Sequence, residues 1–334
     1  MNRPPETFVP VQEERLLAFA KACFEKVGLE AEHAALISRL LVNSDLRGVR
    51  SHGTRTVNSY CSRFEHGYLN PQPEIKVIPK MSAVVVVDGD GTLGYLPMVR
   101  ATEWAIAKAK EVGLGMGLVR HIGHYGSAGH YSRMCMDAGC VGFSVQGYQN
   151  QGNAREAEAK PQLGYFGNPP ISFALPSDEE PPVVLDGGTC ILADYQRGPE
   201  FDALLSKIPA AFFKSIGYTA VASLLGGGLT GVTLPAAREI KARWSTATKG
   251  GMILAIHVGA AVAEGVFRAE VDRTVRDVRE TYEPMPGSDR ALLPGAIEEA
   301  RWQFHRREGI RYGEMEQEQA RIVSKRLGIP LPWD

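Results

Sequence analysis

Apolar residues recur at helical spacing twice near the start of the chain. Leu16, Leu17, Phe19, Ala20, Cys23 and Phe24 form one series, and Ala34, Leu36, Ile37, Leu40 and Leu41 the other, with a break at VGLEAEH between them. This predicts a pair of amphipathic helices within Val11–Leu46. Val84–Val87 is an apolar strand leading to the helix-like MVRATEWAIAKAKEVG. Leu114–Val119 alternates glycine with apolar residues as a buried strand does, Ser127–Ala138 has helix-forming composition, and Val141–Val145 reads as a second short strand. The polar stretch Tyr148–Gln162 reads as a surface loop. Gly167–Ser177 is a two-proline turn leading into a strand, and Pro181–Asp194 a strand that ends at Asp186 with a small-residue turn behind it. Lys214–Tyr218 opens a helix with a glycine-packed face that runs through Leu229. Gly251–Val258 is a further strand, Ala260–Thr281 a long amphipathic helix, and Leu292–Leu331 a Leu-Pro-Gly turn with a charged helical tail. Strands interleaved with helices in this way predict an α/β protein.

Composition narrows the function classes more than the fold. At 334 residues the chain is long enough for two or three structural units. Its 44% hydrophobic and 22% charged residues are ordinary for a soluble globular protein. The formal net charge of −1, with no dense Lys/Arg stripe, leaves no electrostatic footprint for nucleic acid or an anionic membrane. Five scattered cysteines without a CxxC pair suit reduced thiols rather than a disulfide framework or a zinc ribbon. MNRPPETFVPVQEERLL contains no apolar run of signal-sequence length, and no segment reaches the ~20 apolar residues of a membrane span. A cytoplasmic location is expected.

The candidate chemistry is concentrated in histidines. In LVRHIGHYGSAGHY, His121 and His124 fall at the turn between strand and helix, where Gly123 and Gly126 let a ligand come close. The alternative for both is a histidine that caps the helix and bonds locally. With His130 they make a conceivable metal set, but Asp137 is the only carboxylate nearby to complete a shell, and no metal is expected. His52, between Ser51 and Gly53 and among Arg47, Arg50, Arg55 and Arg63, is accessible and tunable, which suits general acid/base work. It equally suits a histidine satisfying loose carbonyls at a helix C-terminus. Gly89–Gly94 matches G-x-G-x-x-G between strand and helix, the dinucleotide fingerprint of Rossmann folds. Asp88 and Asp90 would repel a pyrophosphate there, and Tyr95-Leu96-Pro97 crowds the helix N-terminus. Asp186, followed by Gly187-Gly188-Thr189, is placed to orient a histidine or contact a ribose, or to form an Asx-turn.

Six segments, DLRGVRSHGTR, GLGMGLVRHIGHYGSAGHY, GNPPISFALP, VVLDGGT, KSIGYTAVASLLGGGLTG and LLPG, together resemble in order and spacing the type 2 malate/L-lactate dehydrogenase family of NAD(P)-dependent oxidoreductases. The resemblance covers about residues 11–330. It implies a mixed-sheet nucleotide-binding domain of the family's non-Rossmann fold over residues 76–258. A helical N-terminal part, 1–75, would pack with a helical C-terminal part, 259–334, and GDGTLG would be a false match. It further implies a homodimer with its site near the subunit boundary, and NAD or NADP as cofactor. Residue by residue, His52 takes the place of the family's proposed acid/base and Asp186 that of its site aspartate. His124, Tyr125, Gly126, Gly187, Gly188, Thr189 and Lys214 fall on cofactor-side positions, and Arg50, Arg55 and Asn168 on the substrate side. The implied reaction is hydride exchange between the cofactor and a small 2-oxo or 2-hydroxy acid, with His52 handling the proton.

The chain departs from the family pattern where Thr56 stands in place of an arginine, where Pro169 occupies the GTNP turn, and where residues 194–213 are shortened. These departures keep two further readings in view. One is a cyclic imine reductase acting on pyrroline- or piperideine-2-carboxylate, with the proton going to nitrogen. The other is a non-catalytic binding protein on a dehydrogenase scaffold.

Overall fold

The computed structural model describes residues 3–148, 167–192 and 198–334. Phe8–Val11 forms β1, and the two amphipathic series form α1 (Glu13–Lys26) and α2 (Ala31–Leu46). Each helix turns its series inward. Leu16, Phe19, Ala20, Cys23 and Phe24 of α1 and Ala34, Ile37, Leu41 and Val42 of α2 are buried in one core. Two single 3₁₀ turns, Arg50–His52 and Thr54–Thr56, lead into α3 (Val57–Glu65). Next come β2 (Lys76–Met81), β3 (Val84–Asp88), α4 (Tyr95–Val112), β4 (Leu114–Ile122), α5 (Gly129–Asp137) and β5 (Cys140–Tyr148). The chain continues through β6 (Pro170–Leu175), β7 (Val183–Gly188), α6 (Pro199–Lys207), α7 (Pro209–Gly226), α8 (Pro235–Arg243) and β8 (Lys249–His257). It ends with α9 (Glu264–Thr281), α10 (Ala296–Glu308), β9 (Ile310–Gly313) and α11 (Glu314–Leu327).

Among the described residues the main sheet has the order β2-β3-β4-β8-β5-β6-β7. Only β3 and β4 run parallel, and every other pair is antiparallel. The sheet is therefore mixed, and β8 lies between the two strands that flank α5. Helices α4 and α5 cover one face with Met98, Ala101, Ala105, Tyr131 and Cys135, and α7 covers part of the other with Ala222. A second sheet of two strands pairs β1 with β9, Phe8 opposite Gly313. It ties the two ends of the chain into the helical core, where Ile310, Tyr312, Ala320 and Val323 join α1–α3.

Strand β3, helix α4 and parallel strand β4 supply the local frame that a GxGxxG motif needs, yet the loop offers no cradle. The space beside Gly91 is filled by Trp244, whose Cδ1 would lie 2.1 Å from an added Cβ, and Asp88 is held at 2.9 Å by His121 Nδ1. Tyr95, at the helix start, is fully buried.

Several expectations are corrected in detail. Asp186 lies within β7 rather than at its end, because Gly187 and Gly188 continue the ladder opposite Ile171 and Pro170. His121 belongs to β4, where it adopts φ 57°, not to the turn beyond it. The charged tail is two helices separated by β9. Helix α7 opens at Pro209, so Lys214 sits in its second turn. Helix α9 is tied to the loop between β6 and β7: Asp272 accepts hydrogen bonds from the backbone N–H of Asp178, Glu179 and Glu180, and Arg268 donates to the Ser177 carbonyl. The loop expected at Tyr148–Gln162 lies, beyond Tyr148, outside the described residues. No single helix among the described residues is long and apolar enough to cross a membrane; the bent pair Pro199–Lys207 and Pro209–Thr230 reaches that composition only together.

Candidate active site

His52 closes the 3₁₀ turn that follows α2, its backbone N–H donating to the Val49 carbonyl at 3.0 Å. The turn is fixed from behind by Asp45, which accepts from the Thr54 N–H at 2.8 Å and the Thr54 hydroxyl at 2.6 Å. Ser51 Oγ lies 2.9 Å from His52 Nδ1, so the ring is oriented on one side and its Nε2 is left for other work. The His52 ring stacks on that of His124, with centroids 5.5 Å apart and planes 26° apart. His124 stands in the turn after β4, and its Nδ1 is 2.6 Å from the Tyr60 hydroxyl of α3. Two segments distant in sequence thus put two imidazoles face to face.

Electrostatics favour neutral rings. Burial lowers the pKa of His52; the carboxylate of Asp186 works against that and Arg55 reinforces it. Burial also holds His124 well below the usual histidine range, helped by His52, Lys249 and Arg63. Asp186 shifts the other way: burial raises its pKa, against a hydrogen bond from Ser127 and the nearby charge of His52. Ser127 Oγ makes a short contact to Asp186 Oδ2. The carboxylate also presses on Gly129, where an added Cβ would lie 2.5 Å from Oδ2, so only glycine lets β7 and α5 approach this closely. His52, His124 and Asp186 are therefore gathered into one electrostatically coupled group.

The other expected residues divide. Arg55 lies beside His52, and among the described residues it has no carboxylate partner, its Nη1 being 4.0 Å from Met315 Sδ. Arg50 is a correction: its guanidinium is committed to Glu316, with Nε 3.0 Å from Oε1, and also donates to the Arg3 carbonyl. Tyr125 is another. It is fully buried against Tyr131, 5.1 Å between ring centroids, and serves the core. Asn168 spends its Oδ1 on the Cys190 N–H at 2.9 Å, tying the β6–β7 pair together. Gly126 has φ 83°, with the Tyr95 ring where a side chain would stand. Gly187 has open space beside it and Gly188 packs on Asn168. Thr189 is buried and donates to the Pro169 carbonyl at 2.8 Å. Lys214 is exposed on α7. His121 and His130 are held within the fold, by Asp88 at 2.9 Å and by Ser44 Oγ at 3.2 Å. No group of three metal-ligating side chains occurs among the described residues.

Three contributors escaped the sequence reading. Tyr60 sets the tautomer of His124 and follows His52 by eight residues with no motif to mark it. Lys249 opens β8 with Nζ 4.4 Å above the Tyr148 ring, and burial, with Arg63 adding, brings its pKa down to about 8. A lone lysine in an otherwise apolar strand was the available signal. Ser127 was visible only as part of a helix start.

A cavity of about 290 Å³ opens beside this group. Its lining includes Ser127, Gly129, His130, Asp186 and Leu292–Gly295, so the Leu-Pro-Gly turn reaches the site from the C-terminal part.

The family model described as malate/L-lactate dehydrogenase matches residues 11–196. Malate dehydrogenase of Pyrococcus horikoshii is 34% identical over 190 residues, 56% of this chain and 51% of that protein, so the chain matches about half of that relative's length. L-sulfolactate dehydrogenase of Methanocaldococcus jannaschii is 27% identical over 344 residues, covering 92% of this chain and 94% of that one. Ureidoglycolate dehydrogenase (NAD(+)) of Escherichia coli K12 is 24% identical over 311 residues, 85% and 87% of the two chains. In fold, the solved malate dehydrogenase from Pyrococcus horikoshii OT3 superposes with a TM-score of 0.83 over 98% of both chains at 22% identity.

Proposed function

The chain belongs to the malate/L-lactate dehydrogenase family, and from that premise we propose that it interconverts a small 2-oxo acid and its 2-hydroxy acid with NAD or NADP. The observation that carries the reading is His52, stacked on His124 and under the charge of Asp186, which itself lines a cavity. Relatives named for malate, sulfolactate and ureidoglycolate all take hydroxy acids.

The residues fit the nicotinamide end of such a cofactor. Gly187 leaves open space, and a 290 Å³ cavity holds part of a dinucleotide rather than all of it. When bound, the nicotinamide supplies or accepts hydride at its C4. His52, neutral through burial, takes the hydroxyl proton at its unbonded Nε2 as the alcohol is oxidised and returns it in reduction. Asp186 stabilises the imidazolium that forms, and Ser51 keeps the ring in plane. His124, its Nδ1 accepting from Tyr60, presents Nε2–H as a donor. Arg55 is placed to pair a substrate carboxylate, taking over from the arginine absent at Thr56.

We further propose a homodimer in a reducing compartment such as the cytoplasm. Phe213, Tyr218, Val221 and Leu224 of α7 are each more than half exposed, an apolar face of the sort a second copy covers. Cys23, Cys61, Cys135 and Cys140 are buried thiols.

The decisive measurement is NADH and NADPH oxidation against 2-oxo acids with and without an amine, together with the melting-temperature shift each nucleotide induces. Turnover without amine is expected. An absolute amine requirement would replace this reading with cyclic imine reduction, and failure of both nucleotides to shift the melting temperature at millimolar concentration would replace it with a binding protein.

A further inference from the structure

Arg133 lies near the site, and the grouping of His52, His124 and Asp186 does not explain its placement. It sits on α5, one turn beyond His130, and is 8% exposed. A guanidinium removed from water needs a carboxylate or a full set of acceptors. Among the described residues no carboxylate lies within ion-pair distance of it, and its Nη1 has no hydrogen-bond partner. Burial, with Arg47 adding, depresses its pKa only to about 10, so it stays charged at neutral pH. Arg133 lines the 290 Å³ cavity together with Arg47, Ser44, Ser127 and Asp186. Arg47 is half-spent: Nη1 bonds Glu299 at 2.9 Å and the guanidinium carbon lies 5.6 Å from the Trp302 ring centroid, but its buried Nε has no partner. Two guanidiniums thus reach one cavity with unmet donors. Against them stand Asp186, itself engaged by Ser127, and Glu298 on the rim.

We propose that Arg133, assisted by Arg47, forms an anion subsite in this cavity that binds an acidic group of the substrate or of the dinucleotide. The shared chemistry is a planar or tetrahedral oxyanion meeting a guanidinium fork. Two sources carry such a group. One is a second carboxylate or sulfonate on the 2-oxo acid, which would select diacids over lactate-sized monoacids. The other is a phosphate of the cofactor. The inference rests on the dehydrogenase reading only for naming these two sources.

Calorimetric titration of the full-length protein and of Arg133→Gln and Arg133→Lys separates them. The probes are NADH, NADPH, the unreactive diacid malonate, the monoacid acetate, and inorganic sulfate. The wild type is expected to bind malonate or a dinucleotide at least tenfold more tightly than Arg133→Gln does, with Arg133→Lys between them. A loss confined to malonate and sulfate assigns the subsite to substrate. A loss confined to NADPH assigns it to the extra phosphate, and equal losses for NADH and NADPH to the pyrophosphate. If either variant keeps the wild-type melting temperature while every affinity stays within threefold, or if the wild type binds none of the anions, the subsite is overturned. Wild-type protein that binds malonate through Arg133 but neither nucleotide would instead sink the dehydrogenase reading and leave the subsite standing.

Discussion

Two histidine–aspartate pairs stand toward opposite ends of the main sheet, with Asp88 on β3 and Asp186 on β7, and they are built in opposite ways. His121 and Asp88 are closed on each other: Nδ1 lies 2.9 Å from both carboxylate oxygens, and Arg120 and the Asp90 N–H join from the sides. Burial alone would raise the pKa of Asp88, and these partners together bring it below its ordinary value. His52 and Asp186 act on each other through charge, but no hydrogen bond joins them among the described residues. Each is held instead by a serine, Ser51 and Ser127. A directly bonded pair stores its interaction in the fold, whereas an open pair keeps it for a third group that enters between.

Breaking the open pair should have the largest effect. His52→Ala is expected to lower turnover by about 10²–10⁴-fold, with nucleotide affinity within threefold in a fluorescence titration; unchanged turnover would remove His52 from the proton step. Asp186→Asn should cost about tenfold or more, because the imidazolium that forms at His52 then loses the carboxylate charge that favours it. The sign can be read in the pH profile of hydroxy-acid oxidation. That direction needs neutral His52, so kcat/KM falls as pH drops through a pKa below the ordinary histidine value. Removing the carboxylate, which raises that pKa, should shift the acid limb further down. An unmoved limb would uncouple the two groups. Breaking the closed pair should matter least for turnover: His121→Asn, which tolerates the left-handed φ, is expected to keep kcat within about twofold while costing roughly 1–3 kcal/mol of stability in urea unfolding. A large loss of kcat with unchanged stability would erase the distinction between the pairs.

Much of this was legible in the sequence, for reasons the geometry makes plain. The β4–α5–β5 unit and the α1–α2 pair declare themselves because their contacts are periodic and local. His52 and His124 stand out because small residues surround them. What failed depended on distant partners. Arg50 looks identical to Arg55 along the chain, and only Glu316, brought in by α11, claims it. Tyr125, next to His124, turns into the core because successive residues of a tight turn face opposite ways. The tail concealed β9, since a four-residue strand has no period of its own and is defined by pairing with β1. Arg133 was invisible because an arginine on a short helix reads as solvated until the cavity shows it buried.

The position of β8 carries a consequence for how the molecule is made. The matched family segment ends at residue 196, and every strand up to β7 precedes it, yet the strand that joins β4 to β5 begins only at Lys249. A growing chain therefore emerges with two long unpaired edges straddling α5, and these edges invite pairing with neighbouring chains until the missing strand arrives. Such late, non-local closure makes for slow assembly. Residues 1–196 hold His52, His124 and Asp186 but lack β8, the strand that joins β4 to β5 in the finished sheet.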